Sequence, residues 1–133
     1  MAAYPEVIHL EIRLNDGATT DEDYYFAPVL PTGAVYKVQS AGILPMTSVT
    51  ANATNNRVLT LSDGTTTFGT ITTDTDTAGY VSLTAGTYAA MTLSGAREIK
   101  GGTSVLKLAS VHGGTTTGVA DGMFVVELVK MGA

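Results

Sequence analysis

Cysteine and tryptophan are missing from the 133 residues, and histidine occurs only twice. Without cysteine there is no disulfide framework, no thiolate nucleophile and no cysteine-ligated zinc or iron–sulfur centre. Charge is sparse as well: 14% of residues are charged, against roughly 25% in ordinary soluble domains. Basic residues are the scarcer kind, 7 Lys and Arg against 12 Asp and Glu, giving a net charge of −5 and a pI of ≈ 4.7. That balance argues against a nucleic-acid partner, which is met by a Lys/Arg surface. No apolar run approaches the ~18 residues of a membrane helix. The first six residues, Met-Ala-Ala-Tyr-Pro-Glu, contain no basic region followed by an apolar stretch, so no secretory signal is expected.

What the chain has instead is threonine, about 22 residues, together with 15 glycines and 44% apolar residues. Threonine is β-branched and fits a pleated, half-buried surface. The length is that of one domain, residues 1–133, and is sufficient to enclose a core without staples.

Alternation of apolar and polar residues places the strands. Val7 to Leu14 alternates cleanly, with Ile8, Leu10, Ile12 and Leu14 on one face and Val7, His9, Glu11 and Arg13 on the other. Asn15-Asp16-Gly17 closes it with turn chemistry. Pro28 and Pro31 each lack a backbone donor, which makes Tyr24 to Pro31 an extended edge segment. Ala34 to Ser40 reads as a strand that Gly42 and Pro45 interrupt, and Met46 to Thr50 as a short strand. Arg57 to Thr72 is the clearest hairpin, turning at Asp63-Gly64. Further strands are expected at Gly79 to Thr84, Tyr88 to Leu93, Ser104 to Val111 and Met123 to Met131, with Ile99 pointing inward from the unassigned stretch Ser94 to Lys100. His112 to Asp121 reads as a Gly/Thr loop. The last strand is apolar on both faces except Glu127 and Lys130, the mark of a central or interface position. Eight or nine short strands without a helix predict an all-β, single-domain antiparallel β-sandwich, jelly-roll-like in its long cross-connections.

The residues that bear chemistry do not converge in the sequence. His9 lies beside Glu11 and Arg13 on an outward face, and His112 precedes Gly113-Gly114 in a loop; both read as surface histidines. Asp74-Thr75-Asp76 suggests a calcium loop but places Ala78 at its fifth position and Ala85 at its twelfth, where an EF-hand needs oxygen ligands. Asp21, Glu22 and Asp23 are consecutive, so they cannot face one another across a cleft as paired glycosidase carboxylates do, and read as a solubilising loop. Gly113 to Gly118 has P-loop glycine spacing but no following Lys. Asn52-Ala53-Thr54 is a glycosylation sequon with no use outside a secretory route. No catalytic, cofactor or metal residues are assigned, and the chain is expected not to be an enzyme.

Four segments together resemble the small head decoration, or cement, proteins of tailed bacteriophages. They are Pro31-Thr32-Gly33-Ala34-Val35-Tyr36-Lys37-Val38, the Thr-rich hairpin Arg57 to Thr72, the step Ala96-Arg97-Glu98-Ile99-Lys100-Gly101-Gly102-Thr103-Ser104-Val105-Leu106, and the closing strand Gly122 to Val129. The third differs from the family in carrying Thr103 after Gly102 where Asp is common. The cover is roughly residues 31–130. The resemblance implies a jelly-roll-like sandwich that sits as a homotrimer on the capsid exterior, assembled in the host cytoplasm, and clamps neighbouring major capsid proteins without a cofactor. Residues 1–14 would serve as first strand or partner-contacting arm. The trimer interface is expected in Tyr24 to Leu30, with Tyr24, Tyr25 and Phe26 its anchors, and on the last strand at Phe124, Val126 and Leu128. The alternatives are a phage tail, baseplate or fibre module, or a carbohydrate-binding β-sandwich.

Overall fold

The structure, a computed structural model, describes residues 6–17, 19–26, 32–102, 104–114, 119 and 121–131. Among them are ten strands: β1 (Val7–Leu14), β2 (Glu22–Phe26), β3 (Val35–Leu44), β4 (Asn56–Ser62), β5 (Thr67–Thr72), β6 (Ala89–Ala90), β7 (Thr92–Leu93), β8 (Glu98–Lys100), β9 (Leu106–Gly113) and β10 (Gly122–Lys130). Their pairing is nested. The first strand pairs with the last, β2 with β9, β3 with both β6 and β8, and β4 with β5, all antiparallel. One sheet therefore runs β1-β10-β3-β6, with β8 also on β3, and the other β2-β9-β4-β5-β7. This is the order of a long hairpin rolled into two layers, the jelly-roll-like sandwich that the alternating pattern predicts.

The two inner faces form one core. Tyr36, Val38, Ile43, Phe124, Val126 and Leu128 come from the first sheet, and Phe26, Leu59, Leu61, Leu106 and Leu108 from the second. The rings of Phe26 and Phe124 meet across the layers with centroids 6.2 Å apart. Strand β10 lies between β1 and β3; Phe124, Val126 and Leu128 fill the core, while Met123 and Val125 lie on the outer face of the sheet, only partly covered.

Local irregularities account for the places where the sequence pattern and the strands differ. Gly42 does not end β3. The register along β10 slips where Glu127 faces Ser40 and Leu128 faces Val38, leaving Gln39 as the extra residue of a bulge. Before it Tyr36 and Val38 face inward; after it Ala41 and Ile43 do. Gly42 is retained within the strand because a Cβ there would collide with the Tyr88 phenol and the Ala89 carbonyl oxygen. The expected strand Tyr88 to Leu93 is cut in two. Ala89 and Ala90 pair with β3, Thr92 and Leu93 with β5, and Met91 between them donates its N–H to Ala41. The chain thus crosses from one sheet to the other within five residues. Gly79 to Thr84 and Met46 to Thr50 are reduced to one bridge, Leu83 with Val49. Residues 98–100, which resist assignment from sequence, form β8, with Ile99 buried. His112 and Gly113, expected in a loop, end β9. Part of the expected edge segment, residues 27–31, lies outside the described residues, as do residues 1–5 of the expected arm.

Candidate functional site

The six residues expected at a trimer interface separate into two groups. Phe26, Phe124, Val126 and Leu128 all belong to the buried core of their own chain. That corrects the expectation: side chains on the inner face of a sandwich are already covered by the opposite sheet. Tyr24 is half-buried against the core, and its hydroxyl accepts a hydrogen bond from the Asn15 N–H at 3.2 Å. Burial raises its pKa. Tyr25, on the opposite face of β2, is 55% exposed and remains available to a partner.

The apolar surface lies elsewhere, on the outer face of the β1-β10-β3 sheet. Leu44 stands opposite Met123, and Val125 opposite Gly42, over which the Tyr88 ring lies. Leu44 and Tyr88 are exposed, Met123 and Val125 half-exposed. Burial is still sufficient to raise the Tyr88 pKa. Period two puts Met123 and Val125 on one face of the last strand, but the run is apolar on both faces, and only the burial of Phe124, Val126 and Leu128 shows that Met123 and Val125 face outward. No such signal joins Tyr88 to them, because it arrives from a distant segment.

The most elaborate polar cluster is internal. Arg57 is 1% exposed, among the largest fully buried side chains in the molecule. Its guanidinium donates to the carbonyls of Gly17 and Thr20, both at 2.8 Å, and lies 3.5 Å from the Asp16 carboxylate. Asp16 accepts in turn from the Val119 N–H at 2.9 Å and from the Ser110 hydroxyl. Backbone bonds continue the cluster: the Arg57 N–H donates to the Thr73 hydroxyl, and the Thr73 N–H to the Arg57 carbonyl. Except for Ser110, which lies within β9, the partners lie near a strand end or in a connection at one end of the sandwich. The cluster pins these connections; with its donors and acceptors turned on one another, it is a structural tie rather than a reaction centre. In the sequence Arg57 reads only as the start of a hairpin. The signal was present, since Leu59 and Leu61 face inward and period two carries Arg57 with them.

The remaining candidates resolve individually. His9 Nε2 lies 3.0 Å from Glu11 Oε1 on the outward face, as its position predicts. His112 is not a bare loop residue: its N–H donates to Asp21 Oδ1 at 2.9 Å, and its ring Nδ1 lies 2.6 Å from the same oxygen. These bonds, the backbone one foremost, lower the Asp21 pKa. The acidic run is divided by the start of β2, with Asp23 reaching Lys107 at 3.5 Å. Asp74 caps its own turn, accepting from the Asp76 N–H at 3.0 Å and the Thr77 hydroxyl at 3.3 Å. Among the described residues, no three His, Asp or Glu side chains are grouped to hold a metal ion. At the opposite end from Arg57, an open groove of ≈ 370 Å³ lies between the β4–β5 hairpin tip and the 94–104 segment, bordered by Asp63, Arg97, Glu98, Lys100 and Ser104. Asp63 there has a lowered pKa because it accepts the N–H groups of Thr66 and Thr65. No helix among the described residues is long and apolar enough to cross a membrane. No protein-family model, curated protein or solved structure matches this chain.

Proposed function

We propose that the chain is a structural virion protein that binds the outer surface of a bacteriophage capsid as a homotrimer and stabilises contacts between major capsid proteins. The observation that carries this reading is the outward apolar patch of Leu44, Tyr88, Met123 and Val125. Apolar and aromatic groups gathered on the outside of a folded sheet suit a protein–protein contact. The sandwich beneath is tied at one end by Arg57 and Asp16, which makes it a stiff platform for such a contact. The resemblance of residues 31–130 to phage cement proteins supplies the partner class. Threefold symmetry on a shell multiplies a modest interface into strong attachment.

The test is the solution mass by light scattering, followed by co-sedimentation with capsids. A threefold mass and capsid binding that Tyr88→Glu with Val125→Glu abolishes, while the unfolding midpoint holds, support the proposal. Undiminished binding by that variant removes the patch from it, and failure of the parent protein to sediment with capsids removes the capsid. The groove by the hairpin tip favours the second reading, a carbohydrate-binding module, because its lining offers hydroxyl and charged groups to sugar hydroxyls. Its aromatic residue, Phe68, is buried and offers no stacking face. Thermal stabilisation by a glycan would shift the assignment to that reading.

A further inference from the structure

We propose that β1 is a self-complementary edge through which two copies of this chain join by antiparallel strand addition. This goes beyond the capsid reading and does not rest on it: the two-fold contact is separate from the threefold one, so a trimer that uses it doubles to six chains. Strand β1 ends its sheet, and among the described residues nothing pairs with its outer side. It is the longest of the edge strands, eight residues against five in β2 and two or three in β6, β7 and β8. Its register with β10 is continuous, without a bulge, and it contains no proline. Bulges and prolines are the usual devices that block edge pairing. Ile8, Leu10 and Ile12 face the core yet remain part-exposed, as expected where the sandwich has no further strand to cover them.

The hydrogen-bond parity selects how a second copy can add. The Lys130 N–H donates to the Glu6 carbonyl at 2.8 Å, which makes residues 6 and 130 a hydrogen-bonded pair. Bonded and non-bonded pairs alternate along an antiparallel ladder. Ile8, Leu10, Ile12 and Leu14 therefore direct their backbone groups at β10, and Val7, His9, Glu11 and Arg13 direct theirs at the free edge. A two-fold pairing of β1 with itself must match edge-directed residues with edge-directed residues. The two registers that retain most of the strand are centred on Leu10 or on Glu11. Centring on Glu11 sets Glu11 against Glu11 and His9 against Arg13, like against like. Centring on Leu10 sets His9 against Glu11 of the second copy, twice by symmetry, and Ile8 against Ile12 on the inner side. The Leu10 register is selected because it sets each Glu11 carboxylate against an imidazole that can donate to it instead of against a second carboxylate, and the inner residues gain the cover they lack.

The absence of cysteine makes the test direct. In the Leu10 register the two Leu10 residues form a non-bonded pair, whose Cα separation of about 4.5 Å lies within disulfide reach. Under mild oxidation Leu10→Cys is expected to cross-link into covalent dimers while Glu11→Cys is not. Faster cross-linking of Glu11→Cys, or none in either, overturns the proposal. Because Leu10 contributes to packing, a surface variant runs in parallel. Glu11→Arg is expected to weaken the concentration-dependent doubling of mass about tenfold, because both carboxylates that would accept from His9 are lost and a guanidinium faces each imidazole instead. His9→Glu combined with Glu11→Arg is expected to restore it. The carboxylate that this double variant places at position 9 stands opposite Glu127 of its own chain in both association states, so that repulsion cancels. No doubling in the parent protein, or no restoration in the double variant, also overturns the proposal. A loss of capsid binding with intact β1 pairing touches only the capsid reading.

Discussion

The middle of the sandwich and its Arg57 end are held together by opposite means. In the middle, Phe26, Phe124, Leu108 and Leu128 fill the space between the sheets by contact alone. At the end, Arg57 and Asp16 are wholly buried charges held by directed bonds to carbonyls, a hydroxyl and a backbone N–H. Apolar packing is non-directional, so it dictates that two sheets stack but accepts several shapes. A buried ion pair adds little net stability over an apolar substitute, yet losing one partner is severe. The difference teaches that the slab holds the layers together, whereas the polar tie determines where the connections between them run.

The largest expected effect breaks the tie. Arg57→Met keeps bulk and removes the charge, leaving the Asp16 carboxylate buried beside the orphaned carbonyls of Gly17 and Thr20. Chemical unfolding should report a loss of about 3–5 kcal/mol. Asp16→Asn added to it should cost less than the sum of the single changes, since the two act as one unit. Next comes the slab: Leu128→Ala should lose about 2–5 kcal/mol, but Leu128→Met under about 1.5 kcal/mol. Arg57→Lys, equally conservative by charge, should cost more than Leu128→Met, because an ammonium cannot span two carbonyls and a carboxylate as a planar fork does. Equal costs would erase the contrast between the two regions.

A smaller effect is expected at Gly42. Gly42→Ala forces the added methyl against Tyr88 and the Ala89 carbonyl, for a loss of about 1–3 kcal/mol by the same unfolding measurement. The smallest concerns Asp21 at the solvent-exposed margin of the tie. Its pKa is lower folded than unfolded, so the bonds from His112 stabilise the protein above the ordinary carboxyl range. That contribution disappears as pH falls through the lowered folded value. The stability gap between the parent and Asp21→Asn should therefore be present at neutral pH and close in strong acid. A gap that widens in acid would contradict the sign.

Much of this was legible from alternation. Val7 to Leu14, the Arg57 to Thr72 hairpin and the last strand lie where period two places them, because each has one face in the core. The interface assignment for Phe124, Val126 and Leu128 was not, since a run that is apolar on both faces does not reveal which face is covered by its own chain. Met91 illustrates the same limit in miniature: a single residue divides one apparent strand between two sheets.

Composition and alternation by themselves determined an all-β chain with antiparallel layers, since the pattern of apolar side chains dictates which backbone shape can bury them. Only the tertiary structure decided which strands pair, that Gln39 shifts the phase of β3, and that Arg57 meets Asp16 from 41 positions away in the sequence. Strand pairing and ion pairing are contacts between distant segments, and the partner of each is selected by the geometry of the assembled sheets. Local sequence carries the propensity for an edge; what lies against it is settled in space.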